Sequence, residues 1–251
     1  MRTYTISGSS SGIGLAIRET LERAGHRVIG VDISDAEVIA DLGRPDGRLD
    51  AVRKVLEMSG ERLHGVVASA GVSPSHSVDS ILSVNFFGAR DFLDALAPAM
   101  EGANVGAVAI ASAATQHPVC HEAVRALLDG SVEQASDALK SDAAAAYVAS
   151  KTALVRWVRR AATSKEWAGA GRSLNAVSPG IVATPMNRDL SAEAKERLME
   201  RYPMRLHGVA QAAAVASLVC YLVGDTNSHV TGQNIFVDGG AEAVTRGDVV
   251  W

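Results

Sequence analysis

The sequence predicts an α/β fold, a doubly wound parallel sheet covered by helices on both faces, and three observations lead there. Short apolar runs alternate with helical patterns along the 251 residues, as in strands joined by crossover helices. The first run, Thr3-Tyr4-Thr5-Ile6, passes directly into the glycine-spaced stretch Gly8-Ser9-Ser10-Ser11-Gly12-Ile13-Gly14, which opens a helical pattern through Arg18 and Leu21. No internal repeat, charge block or low-complexity linker breaks the alternation, so residues 1–251 are expected to form a single domain.

Strands are expected at Thr3–Ser7, Arg27–Val31, Glu37–Ala40, Gly65–Ala68, Ala107–Ser112, Ser173–Ala176 and Asn234–Val237. The connection from Asp32 to Ala36 is too short for a helical crossover, which takes roughly a dozen residues or more. The third strand is therefore expected to be short and irregular, or its limits to lie elsewhere. Between Ala113 and Ala146 the alternation gives way to an inserted helical stretch, with helical patterns over Glu122–Leu128 and Val132–Lys140. Ser131 and Gln134 have the spacing of a capping box, which places a helix start at Ser131. A further helical pattern near Ala192–Arg201 lies within residues 185–205, a segment expected to act as a substrate lid.

A strand turning tightly into a helix aims unpaired N–H groups and the positive end of the helix dipole at its ligand, which suits a phosphate. Gly8, Ser10, Ser11, Gly12, Ile13 and Gly14 are the candidates for that cradle. Asp32 ends the run Val28-Ile29-Gly30-Val31, where a carboxylate accepts from both ribose hydroxyls of an adenosine. Cradle and acceptor together point to NAD, and Ile33 adjoins them. Neither Ser9-Ser10-Ser11 nor Ile33-Ser34 supplies a cation for a 2′-phosphate, so NAD is expected over NADP.

Composition narrows the partners. A net charge of −4 with scattered basic residues argues against nucleic acid and against an anionic membrane surface. No apolar run approaches the ~20 residues that span a bilayer, so a soluble, cytoplasmic protein with a small-molecule substrate is expected. Cys120 and Cys220 offer neither a disulfide framework nor a CxxC pair. His117, Cys120 and His121 have metal-ligand types, yet no fourth ligand is near, and no metal is expected. Arg156, Arg159 and Arg160 read as a solvated face, and Trp157 and Trp167 as core or subunit contacts.

The chemistry is expected in the second half. Tyr147 and Lys151 stand four apart in a helical pattern and so share a face. A phenol with a pKa near ~10 is a poor base at neutral pH unless a nearby cation favours its anion, and Lys151 is placed to be that cation. Ser112, at the end of an apolar strand, has a hydroxyl to hold a substrate oxygen. Ligands of open parallel sheets bind outside those strand ends.

Gly8–Gly14, Asn85, Ser112, Tyr147-x-x-x-Lys151 and Pro179-Gly180 occur in the order seen in short-chain dehydrogenases/reductases, and the chain resembles that family over nearly its whole length. The resemblance implies a Rossmann-like domain in which Tyr147 is the general acid/base. It implies that Lys151 lowers the tyrosine's pKa and holds the nicotinamide ribose, and that Ser112 orients the substrate oxygen. It places Asn85 in a water chain behind the lysine and Asp41-Leu42 beside the adenine. Ala70 and Gly71 fall at the cofactor's closest approach, and Pro179, Gly180 and Thr184 at the nicotinamide carboxamide. Ser69 stands where the family usually has asparagine, so the resemblance does not supply that residue's sheet-stabilising amide contact.

With the stretch from Asp32 to Leu42 and the compact first half, the long interval from Ser112 to Tyr147 resembles that of bacterial 3α-hydroxysteroid dehydrogenase/carbonyl reductases, and coniferyl-alcohol dehydrogenases share the layout. The substrate expected is a bulky, mostly apolar secondary alcohol or ketone. Val119, Val124, Leu127 and Leu128 are expected to wall one side of its cleft, and Met186, Leu190, Leu198 and Met204 the other, with Met186 contacting substrate. A non-catalytic NAD-binding sensor is the competing class, disfavoured because Ser112, Tyr147 and Lys151 are all present. A homo-oligomer, most simply a two-fold dimer, is expected, with Val249-Val250-Trp251 at its interface.

Overall fold

Seven parallel strands form one sheet in the order β3-β2-β1-β4-β5-β6-β7. They are β1 (Thr3–Ser7), β2 (Arg27–Asp32), β3 (Val38–Ile39), β4 (Gly65–Ala68), β5 (Val105–Ile110), β6 (Arg172–Pro179) and β7 (Asn234–Val237). The computed structural model describes residues 1–187 and 191–249, with the backbone alone at Asn187 and Lys195.

Strand alternation divides the core in two. Tyr4 and Ile6 of β1, Val67 of β4 and Val108 of β5 pack against α1 (Gly12–Arg23) and α9 (Ala212–Val223). Val66, Ala68, Ala107 and Ala109 point the other way. There they meet α2 (Pro45–Ser59), α4 (Ala89–Leu96) and α7 (Ala143–Ala161). Apolar residues on both faces of central strands are what a sheet covered on both sides requires.

Local chemistry sets the helix ends. α2 starts with Pro45 in its first turn and stops at Gly60, which takes the left-handed conformation at φ 64°. α7 starts at Asp142, whose Oδ1 accepts from the Ala145 N–H at 2.9 Å. It ends with Arg159 and Arg160 in its last turn, where cations suit the dipole.

The expected strand Glu37–Ala40 shrinks to Val38–Ile39, paired in parallel with Val31 and Asp32. β5 ends at Ile110, two residues before Ser112, instead of including it, and β6 runs on to Pro179. The inserted stretch forms α5 (His121–Leu128) and α6 (Val132–Leu139). The Ser131 hydroxyl accepts from the Gln134 N–H at 3.1 Å, which is the N-cap half of a capping box. α5 lies on α7, and α6 lies on α7 and α3 (Val78–Leu82). Residues 185–205 include α8 (Ala192–Arg201), started by the Ser191 hydroxyl, and α10 spans Ala241–Arg246. Leu190, Val250 and Trp251 lie outside the described residues. Among the described residues both cysteines are free, and no helix is long and apolar enough to cross a membrane.

Candidate active site

The carboxyl ends of the strands open into one cleft of about 880 Å³. It lies where the sheet order reverses, between β1 and β4, the usual ligand position in such sheets. At its centre the glycine loop is shaped by close approach. Gly8 has φ +69°, and a Cβ there would come within 2.7 Å of the Ala70 nitrogen. A Cβ on Gly14 would overlap the Gly8 carbonyl oxygen. Gly12, at φ +54°, lies under Thr184, whose Cγ2 would be 3.2 Å from an added Cβ. Ser11 begins α1 without a side-chain cap, and Ser11, Gly12, Ile13 and Gly14 line the cleft, so the helix N-terminus faces it.

The adenosine end is set by Asp32. Its Oδ2 accepts from the Ser10 N–H at 2.9 Å and its Oδ1 from the Ile33 N–H at 2.7 Å. Asp32, Ile33, Asp41 and Leu42 all line the cleft. Ser10 does not: its hydroxyl donates to the Ser34 and Asp35 carbonyls at 2.8 and 3.0 Å, tying the glycine loop to the turn after β2.

Ser69 raises the question of what holds the loop after β4, and the buried Ser7 hydroxyl supplies the answer. It accepts from the N–H groups of Ser69 (3.2 Å) and Ala70 (3.3 Å). Asn85 lies behind Gly71 in the π-helical turn Ser83–Gly88, fully buried. Its Oδ1 accepts from the Val72 N–H at 2.8 Å and its Nδ2 donates to the Val72 carbonyl at 3.0 Å. Its side chain therefore clamps this loop and does not reach the cleft wall, whereas Ala70 and Gly71 do.

Ser112, Tyr147 and Lys151 line the cleft together. The Ser112 hydroxyl accepts from the Ala114 N–H at 3.1 Å and is hydrogen-bonded to Tyr147. Burial pushes the Tyr147 phenol above its ordinary value, and the bond with Ser112 pulls it down. The Lys151 ammonium donates to the Ile110 carbonyl at 2.8 Å, and burial pushes it down to about 8. Lys151 stands beside Gly71, its Nζ 3.6 Å from where a Cβ would be. Pro179, Gly180, Thr184 and Met186 complete this end, with Met186 about half exposed at the rim.

The substrate side differs from the sequence expectation. Val124 and Leu127 are fully buried in the core, and Val119 and Leu128 pack against it, so none of the four walls the cleft. The helical pattern identified their shared face, and that face meets α7. The insertion side instead contributes Pro118 and, at the start of α7, Asp142, Ala144 and Ala145. Leu198 lines the opposite side as expected, but Met204 is buried, its sulfur 3.2 Å from the Ile181 nitrogen.

Arg201 and Tyr202 also line the cleft, and they join the end of α8 to the insertion. Arg201 Nε donates to His117 Nε2 at 3.2 Å, and the His117 and Tyr202 rings meet edge to face at 5.0 Å. Burial, reinforced by Arg201, lowers the His117 pKa, which suits an acceptor imidazole. Among the described residues no group of three His, Cys, Asp or Glu side chains is placed to hold a metal. Trp157 and Trp167 pack edge to face at 6.5 Å, with Trp167 buried, and neither lines the cleft.

A glycine cradle at a helix N-terminus with a serine, tyrosine and lysine at the neighbouring strand ends defines a class of oxidoreductase, and the comparisons agree. A family model described as enoyl-(acyl carrier protein) reductase matches residues 8–242. The chain belongs to the short-chain dehydrogenase/reductase family. It is similar to the 3-alpha-hydroxysteroid dehydrogenase/carbonyl reductase of Comamonas testosteroni, 36% identical over 255 residues that cover 98% of each chain. The crystal structure of the 3-alpha-hydroxysteroid dehydrogenase from Pseudomonas sp. B-0831, complexed with NADH, superposes with a TM-score of 0.92 at 36% identity, covering 98% of this chain and 99% of that one. The coniferyl-alcohol dehydrogenase of Pseudomonas sp. (strain HR199 / DSM 7063) is 28% identical over 253 residues, covering 95% of this chain and 96% of its own.

Proposed function

We propose that the protein is an NAD-dependent alcohol dehydrogenase/carbonyl reductase. Its substrate is a bulky, mostly apolar secondary alcohol or the matching ketone, with a 3α-hydroxysteroid and its 3-oxosteroid leading. The observation that carries this reading is the meeting of Ser112, Tyr147 and Lys151 in the same cleft as the glycine cradle and Asp32. The close-packed cradle of Gly8, Gly12 and Gly14 and the pinned Asp32 carboxylate fit a dinucleotide, and the Pseudomonas relative is complexed with NADH.

NAD, when bound, supplies the hydride acceptor for alcohol oxidation, and NADH the donor for ketone reduction. Ser112 Oγ donates to the substrate oxygen and fixes its place. Tyr147 Oη takes the hydroxyl proton in oxidation and returns it in reduction. Lys151, anchored on Ile110, is placed to hold the nicotinamide ribose.

NAD-linked oxidation of androsterone, coniferyl alcohol and short 2-alkanols tests the substrate class. Androsterone is expected to have the highest kcat/KM, and activity confined to the short alcohols would overturn the large-substrate reading. An aryl alcohol is the second candidate because of the similarity to coniferyl-alcohol dehydrogenase. A sensor would bind NADH and produce none from any alcohol. In the same assay NAD is expected to exceed NADP in kcat/KM, and equal efficiencies would remove the role given to Asp32.

A homo-oligomer, most simply a two-fold dimer, belongs to the proposal. α5 and α6 cover part of α7, so the insertion is expected to shape the subunit contact. Shortening residues 113–146 is expected to change the molar mass in solution, and an unchanged assembly would separate the insertion from the interface.

A further inference from the structure

The turn from β2 to β3 has five residues, Ile33–Glu37, in place of a crossover helix, and Glu37 folds back to close it. Its Oε2 accepts from the Gly30 N–H at 2.9 Å and from Arg18 Nη1 at 3.0 Å, while its Oε1 accepts from Arg18 Nη2 at 2.5 Å. Arg18 Nε donates to Glu22 Oε1 at 2.9 Å. Two carboxylates thus engage the whole guanidinium fork, one of them bidentately. Burial works to raise the Glu37 carboxyl, but the Arg18 hydrogen bond and backbone N–H donors outweigh it and hold it below the ordinary carboxylate range.

Gly30 marks where this pair sits. A Cβ there would overlap the buried Ser9 hydroxyl and lie 2.8 Å from Glu37 Oε2 and 2.9 Å from Arg18 Nη1. Gly30 and Asp32 are two positions apart on β2, so they share a face at a spacing of about 7 Å. Arg18 therefore stands one strand repeat from the carboxylate assigned to the adenosine ribose. A 2′-phosphate on that ribose would come within reach of an arginine side chain.

We propose that Glu37 is a cofactor-specificity residue: by holding Arg18 in a bidentate pair, it withholds that cation from a 2′-phosphate and so reinforces the selection of NAD by Asp32. The proposal rests on the dinucleotide reading of the cleft. Arg18 with Glu22 and Glu37 leaves one formal negative charge beside Asp32, so a 2′-phosphate meets repulsion from both. Neither Arg18 nor Glu37 lines the cleft, so Glu37 acts through Arg18.

Fluorescence titration with NADH and NADPH tests the idea, together with thermal unfolding of each variant. Glu37→Gln keeps an oxygen for the Gly30 N–H while removing the charge that holds Arg18. In an Asp32→Ser background, adding Glu37→Gln is expected to tighten NADPH binding about tenfold, the effect of ~1.4 kcal/mol, and to leave NADH within about twofold. Adding Arg18→Leu should return NADPH to the Asp32→Ser level. Arg18→Lys, which cannot form the bidentate pair, provides a second release and is expected to tighten NADPH binding in the same background. An NADPH affinity unmoved by Glu37→Gln and by Arg18→Lys overturns the proposal. So does a gain that survives Arg18→Leu, or an equal loss for both nucleotides with a lowered Tm, which would leave Glu37 only a support for the turn. A wild-type protein that binds neither nucleotide would overturn the dinucleotide reading itself, a result distinct from these.

Discussion

Tyr147→Phe is expected to lower kcat by about 10²–10⁴-fold, the usual worth of a general acid/base, while NADH affinity stays within about twofold. The variant keeps the ring and loses only the hydroxyl, the group that bonds to Ser112 and is proposed to carry the proton. Burial raises this phenol, so its ionised form is scarce at neutral pH in the free protein. Alcohol oxidation needs the anion and should accelerate as pH rises toward the phenol's pKa. Ketone reduction needs the neutral phenol and should slow over the same range. Steady-state rates in both directions between pH 6 and about 10, set by the phenol's ordinary range, test this. A variant that retained most of its turnover would take the proton transfer away from Tyr147.

Lys151→Met separates stability from function. Lys151 is 5% exposed, and its ammonium donates to the Ile110 carbonyl. Burial lowers its pKa from 10.5 to about 8. The unfolded chain therefore binds the proton more tightly than the folded one. Between those two values the stability of the wild type must rise with pH, and below about 8 the full penalty for burying the charge is present. That penalty is on the order of 3 kcal/mol, at ~1.4 kcal/mol per pKa unit. Methionine fills a similar volume without charge, so at neutral pH the variant should be as stable as the wild type or more so. Its advantage should shrink as pH climbs from 8 toward 10.5. Turnover and NADH binding should both fall. Urea unfolding of the two proteins across this range is the measurement, and parallel stabilities would show that the burial of Lys151 carries no such penalty.

What the sequence made legible was local in origin. The glycine loop announces itself because Gly8, at positive φ, and Gly14, against the Gly8 carbonyl, admit no side chain. Tyr147 and Lys151 are legible because a helix fixes what lies four residues away. The helices of the insertion were readable from their apolar spacing, but the surface they would meet was not. Val124 and Leu127 have the same apolar character whether they face a cleft or a helix, and the packing of α5 on α7 decides it. Arg201 and His117 meet across 84 positions of sequence, and Arg18 and Glu37 across a turn too irregular for any periodicity to read. Ser10 is expected in the cradle from its place in the glycine loop, but it does not line the cleft, because the short turn brings the Ser34 and Asp35 carbonyls to its hydroxyl.

That turn also bears on the chain's solubility. An outer strand is a template for a foreign strand in proportion to the row of unpaired N–H and C=O groups it presents. At one border the outermost strand of this sheet is only Val38 and Ile39, and Glu37 beside it turns its carboxylate inward onto the Gly30 N–H of β2. Ile39 is half exposed, yet an intruding strand would find a foothold too short for a ladder. A crossover helix would have allowed a longer and stickier margin. By doing without one, the chain gives edge-to-edge aggregation little purchase on that side, including while it is newly made and its partners are still unfolded.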